Sequence, residues 1–66
     1  MKACINGQER ELPGNIMLAE LLDQIGVPPA GVAVAKNDRV VRRSALASEP
    51  VREGDRIEII KAVAGG

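Results

Sequence analysis

Apolar and polar residues alternate from Lys2 to Asn6, placing Ala3 and Ile5 on one face and Lys2, Cys4 and Asn6 on the other. That period of two predicts a strand covered on one side. Asn6-Gly7 follows, a strong hairpin signal because both residues tolerate positive φ, and Gln8 to Leu12 reads as the returning strand, stopped by Pro13-Gly14. The period then changes. Leu18, Leu21, Leu22 and Ile25 fall at i, i+3, i+4 and i+7, one helical stripe. Gly26 stands where a left-handed residue ends a helix, and Pro28-Pro29 keeps the helix from resuming. Two N-terminal caps fit the spacing: Asn15, a capping type, and Met17, a poor one. Gly31 to Lys36 predicts a further strand, with Val32 and Val34 on one face and Ala33 and Ala35 on the other. Asn37-Asp38 turns the chain into a short strand around Val40-Val41, and Ser44 to Pro50 is irregular, with room for one helical turn. Glu53-Gly54-Asp55 is a tight turn before the last and most apolar strand, Arg56 to Val63.

The order is β-β-α-β-β-β. One helix cannot cover two sheet faces, so the expected fold is α+β: a single mixed sheet of four or five strands with the helix on one face. The last strand is expected in the centre, beside the first, with the C-terminus free at a sheet edge. Ubiquitin-like β-grasp folds have this arrangement. Residues 1–66 form one domain, and 63–66 read as a flexible tail.

If Ala3, Ile5, Val32, Val34, Ile57 and Ile59 face the helix, the open face carries Cys4, Ala33, Ala35, Ile60 and Ala62. A solvated sheet face should alternate to polar residues, and these are small or apolar. Single exposed aliphatics are common, but a contiguous patch beside a terminus marks a partner surface. Ile60, Ala62, Ala33 and Ala35 are therefore the candidate partner-binding residues. Cys4 reads as a tolerated small residue, since nothing nearby in sequence would activate its thiol.

Composition narrows the chemistry further. With 66 residues there is room for one small core, built without Phe, Tyr or Trp. No aromatic platform exists for stacking bases, and nine basic residues balance nine acidic ones, so nucleic acid is not an expected partner. Arg42-Arg43, the only adjacent basic pair, reads as a solvated turn. With one Cys and no His, there is no disulfide pairing, no ordinary zinc set and no Cys-His or Ser-His-Asp catalytic group. No phosphate loop of the G-x-x-x-x-G-K type is present, no stretch would cross a membrane, and the start lacks a signal peptide's apolar core. A cytoplasmic protein that is not an enzyme, binding no metal and no cofactor of its own, is expected.

What remains is the ending, Gly65-Gly66. It is either a frayed end or a functional one. Two glycines offer only backbone and the terminal carboxylate, and a slim backbone suits threading into a partner's channel. Val63 to Gly66, fully extended, would reach on the order of 13 Å.

Several segments resemble the ThiS family, the sulfur carriers of thiamine biosynthesis. They are Met1 to Gly7 (MKACING), Ala19 to Leu22 (AELL) followed by Gly26-Val27-Pro28-Pro29, Gly31 to Asn37 (GVAVAKN), Val41 to Ser44 (VRRS), Arg52 to Ile57 (REGDRI) and Ala62 to Gly66 (AVAGG). The resemblance covers the whole chain. Its departures are Met17, where the family often has a capping Thr or Ser, and Leu46, where an aromatic is frequent. It implies a sulfur relay. A ThiF-type adenylating enzyme would use ATP and magnesium to activate the Gly66 carboxylate. A persulfide from a cysteine desulfurase system would convert it to a thiocarboxylate, and thiazole synthase would take the sulfur. Gly66 would be the modified residue, with Val63, Ala64 and Gly65 as the tail. Three rivals share the fold: the small subunit of molybdopterin synthase, a ubiquitin-like modifier joined to lysines, and a β-grasp interaction domain with an inert terminus.

Overall fold

The computed structural model describes residues 1–28 and 31–61. Five strands form one mixed sheet: β1 (Lys2–Ile5), β2 (Gln8–Glu11), β3 (Val32–Lys36), β4 (Arg39–Val41) and β5 (Arg56–Lys61). A single α-helix, α1 (Leu18–Ile25), and a 3-10 helix (Arg43–Ser48) complete the elements. The strand order is β2-β1-β5-β3-β4, with β5 parallel to β1 and antiparallel to β3. The last strand is therefore central and lies beside the first, as expected. The exit of β5 is at the end of this central strand; the lateral edges of the sheet belong to β2 and β4. Expected boundaries shift slightly. β1 ends at Ile5 and β2 at Glu11, although Asn6 N–H still donates to the Ile57 carbonyl and Leu12 N–H to the Met1 carbonyl, and Ala62 and Val63 lie outside the described residues.

The helical stripe becomes the core. Leu18, Leu21 and Leu22 are fully buried against Ala3, Ile5, Val34 and Ile57 of the sheet, with Ile16, Leu46 and Val51 closing the sides. Each fully buried aliphatic side chain contributes about 1.5–3 kcal/mol of transfer free energy. Leu46 enters the same cluster from the 3-10 helix, so an aliphatic residue fills this position.

Met17, not Asn15, caps the helix, and its side chain makes no capping hydrogen bond. The free N–H groups of the first turn find other acceptors. Met17 N–H donates to Glu20 Oε1 at 3.0 Å, and Leu18 N–H donates to the Glu49 carbonyl at 2.8 Å. The second bond, with Val51 N–H donating to the Ile16 carbonyl at 2.9 Å, ties the helix entry to the segment before β5. At the other end Gly26 has φ 79° and donates to the Asp23 carbonyl, while Val27 N–H reaches back to the Leu22 carbonyl. This Schellman pair satisfies two terminal carbonyls, as the glycine position predicts.

A polar network closes one end of the sheet. Lys36 Nζ sits 2.7 Å from Glu49 and 3.7 Å from Asp55, and donates to the Pro50 carbonyl at 2.9 Å. Asp55, only 9% exposed, accepts from Asn37 Nδ2 at 3.0 Å and from Arg52 N–H at 2.8 Å. Burial works to raise the Asp55 pKa, but the Asn37 and Arg52 hydrogen bonds and the Lys36 charge together hold it below the usual carboxylate value. A depressed folded-state pKa gives stability that is complete above the unfolded value, about 3.9, and is lost as pH falls through the lower folded value. Asp55→Asn is therefore expected to lose about 1–3 kcal/mol at pH 7. It should also lose part of the wild-type decline in stability below about pH 4 in urea titrations at stepped pH.

Candidate functional site

The residues to which the sequence assigns chemistry, Gly66 with Val63, Ala64 and Gly65, lie outside the described residues, as does Ala62. The structure describes the strand that leads to them and the face beside it. Ile60 is 61% exposed and pairs with Ala33 across β5 and β3. Ala35 pairs with Glu58 on one side and with Val40 on the other. Val40 is 79% exposed. Directly paired side chains on one face stand about 4.5–5.5 Å apart at Cβ, so Ile60, Ala33, Ala35 and Val40 form one apolar band across three strands. Three of the four proposed partner-binding residues thus share a face: Ile60, Ala33 and Ala35.

Sequence reading missed Val40. Its signal lies in the turn: Asn37 and Asp38 both have positive φ (50° and 68°), giving a two-residue hairpin. That turn fixes Lys36 opposite Arg39 and therefore Val40 opposite Ala35 on the open face. Cys4 is half-buried on the same face, in register with Arg56.

Two asparagines fix the strand that carries the terminus. Asn6, at φ 51°, accepts from Ile59 N–H at 2.8 Å through Oδ1 and donates to the Ile59 carbonyl at 3.3 Å through Nδ2. Its side-chain amide continues the β1 side of the ladder past the end of β1. Asn37 does the same at the start of β5, accepting from Arg56 N–H at 2.9 Å while its own N–H donates to the Arg56 carbonyl at 2.8 Å. β5 is held near both ends by turn residues. Asn6→Gly keeps the positive φ acceptable and removes only the amide; we expect a loss of about 1 kcal/mol. Amide exchange should accelerate at Ile59 and stay unchanged at Ile57, whose ladder is intact.

Among the described residues no cluster of three or more His, Cys, Asp or Glu side chains could hold a metal ion, and no helix is long and apolar enough to cross a membrane. No described residue pair forms a nucleophile and its base. The arrangement can present a strand end and an apolar face to another protein.

One helix on a five-stranded mixed sheet, with the last strand central and parallel to the first, defines a ubiquitin-like β-grasp domain. The solved structure of the thiamine biosynthesis protein ThiS from Geobacter metallireducens superposes with a TM-score of 0.87 at 29% identity, over 100% of both chains. The sequence model of the ThiS family matches residues 4–66. The chain belongs to the ThiS family. It is 36% identical over 62 residues to the sulfur carrier protein ThiS of Thermus thermophilus, covering 94% of this chain and 95% of that one. A thiazole synthase of Paramagnetospirillum magneticum is 38% identical over all 66 residues. The chain spans 20% of that longer protein.

Proposed function

We propose that this chain is a sulfur carrier that delivers sulfur from its C-terminal carboxyl group to the enzyme forming the thiazole ring of thiamine. The observation that carries this reading is the end-to-end match to a ThiS sulfur carrier, together with a shared fold over the whole chain. A carboxylate is a poor electrophile, so the Gly66 carboxylate first attacks the α-phosphorus of ATP on a ThiF-type enzyme, releasing pyrophosphate. ATP and magnesium belong to that partner. The terminal sulfur of a persulfide, supplied by a cysteine desulfurase system, then takes the place of AMP. A thiol cuts the sulfur–sulfur bond and leaves a thiocarboxylate. Thiazole synthase consumes that sulfur. The longer thiazole synthase, which contains a stretch matching this whole chain, supports the last partner. The chain acts as a co-substrate throughout.

The body must stay docked while the tail is threaded, and the band of Ile60, Ala33 and Ala35 is where both partners hold it, with Ala62 the fourth contact residue of the same reading. Ile60→Lys puts a charge into that contact. We expect it to weaken binding to the adenylating enzyme by about tenfold or more, as loss of a buried aliphatic anchor does. Its melting transition should not move, because Ile60 contributes nothing to the core. Reconstitution with a ThiF-type enzyme, ATP, a persulfide source and thiazole synthase tests the function as a whole. Thiazole product should appear only with the full chain present. Sulfur loading followed by molybdopterin formation instead would assign the carrier to the other pathway.

A further inference from the structure

We propose that the lateral edge of β4, with the groove between it and the 3-10 helix, docks an acidic, extended segment of a partner protein that adds to the sheet as a sixth strand. The proposal rests neither on the tail nor on the sulfur reading.

The backbone supplies the first argument. A two-residue turn makes Lys36 and Arg39 a hydrogen-bonded pair, so the next pair, Ala35 and Val40, is not. The N–H and C=O of Val40 therefore point away from β3, out of the sheet. Arg42 continues extended at φ −65° and ψ 147°, which turns its N–H to the same side, while its carbonyl accepts from Ala45 N–H at 2.8 Å. Two donors and one acceptor line an open edge, the arrangement that strand addition uses.

Charge supplies the second. The groove has a volume of about 600 Å³, and Val41 and Ala45 give it an apolar lining. Its charged walls are Lys36, Arg39 and Arg42 against Glu49, three positive and one negative, a net +2. Glu49 is already held by Lys36 at 2.7 Å. Arg43 lies one residue beyond Arg42 at the start of the 3-10 helix. Among the described residues the ion pairs occupy Lys36, Arg56 and the N-terminus, and none of Arg39, Arg42 or Arg43. In a chain of zero net charge, three unpaired cations within five residues are a local excess of one sign. The opposite edge differs. On β2 the signs alternate, Glu9, Arg10 and Glu11, and Glu11 is tied to the N-terminal amine at 2.8 Å. Charges on an edge strand also discourage unwanted pairing, and mixed signs such as those of β2 suit that purpose. A single sign beside a groove selects a partner of the opposite sign.

The test uses the full 15N-labelled chain and the peptide acetyl-Asp-Val-Glu-Val-Glu-amide. Saturable shifts at the Val40 and Arg42 amides, with slowed exchange of the Val40 N–H, are expected. The isosteric peptide with Asn and Gln for the acids should bind at least about fivefold more weakly, and raising salt from about 0.05 M to about 0.5 M should have a similar effect. Two variants separate the contributions. Val40→Pro removes only an outward N–H, which an edge strand tolerates, and should abolish the response. The double variant Arg39→Glu, Arg42→Glu leaves every described hydrogen bond in place and should weaken binding about tenfold or more. Contacts confined to the guanidinium groups, with Val40 N–H exchange unchanged, would overturn strand addition. So would equal competition by inorganic phosphate, or self-association of the chain in place of peptide binding.

Discussion

Deleting Gly66 is expected to leave a stable domain that takes up no sulfur. The described core closes at Ile59, and its buried members all lie between Ala3 and Ile57, so stability should stay within about 0.5 kcal/mol of the full chain. The reacting carboxylate would nevertheless retreat by one residue, about 3.3–3.6 Å. A misplacement of even about 1 Å from an attack geometry costs on the order of a hundredfold in rate, so pyrophosphate release by the adenylating enzyme should fall by at least that factor. A Gly65→Ala variant keeps the reach and adds one methyl group to the tail. It should bind its partners through the sheet face yet turn over more slowly, which separates docking from threading. Full turnover by the deleted chain would remove Gly66 from the chemistry.

Leu21→Ala should have the largest effect on the fold. Leu21 is fully buried on the helical stripe, between the sheet and the Leu46 side of the core. Truncating such a residue costs about 2–5 kcal/mol, as transfer free energy and a cavity that closes only in part. A domain of 66 residues has a total stability of about 3–10 kcal/mol, at roughly 0.05–0.15 kcal/mol per residue. The variant should therefore be largely unfolded near 37 °C, and its urea midpoint should fall with little change in slope. Ile60→Lys provides the contrast: a much larger chemical change at a site where the core has nothing to lose. A loss below about 1 kcal/mol for Leu21→Ala would mean that the helix is not seated as described.

The sequence was most readable where the determinants are local. The period of two in β1 and β3, the period of 3.6 in α1, and the left-handed Gly26 placed the elements within a residue or two. Counting faces along the strands puts Ile60, Ala33 and Ala35 together from the sequence alone. Long-range choices were not readable. Met17 is a poor cap by type and works because Glu49, distant in sequence, offers its carbonyl to Leu18. Asn6 and Asn37 carry an obvious turn signal, but their amides also hold Ile59 and Arg56, a role set by the strand order rather than by neighbours. Val40 is a β-former in a short strand, and only the register assigns it to the open face. The Lys36–Asp55 pairing likewise exists because β3 and β5 are adjacent.

The central claim is that sulfur enters this chain at one carboxyl group. The most direct measurement is the intact mass of the full chain after incubation with a ThiF-type enzyme, ATP, magnesium and a persulfide donor, followed by fragmentation from the C-terminus. One oxygen should be replaced by one sulfur, and the fragments should place it on Gly66. An unchanged mass, with partners that load another ThiS protein in parallel, would contradict it, as would sulfur found on Cys4.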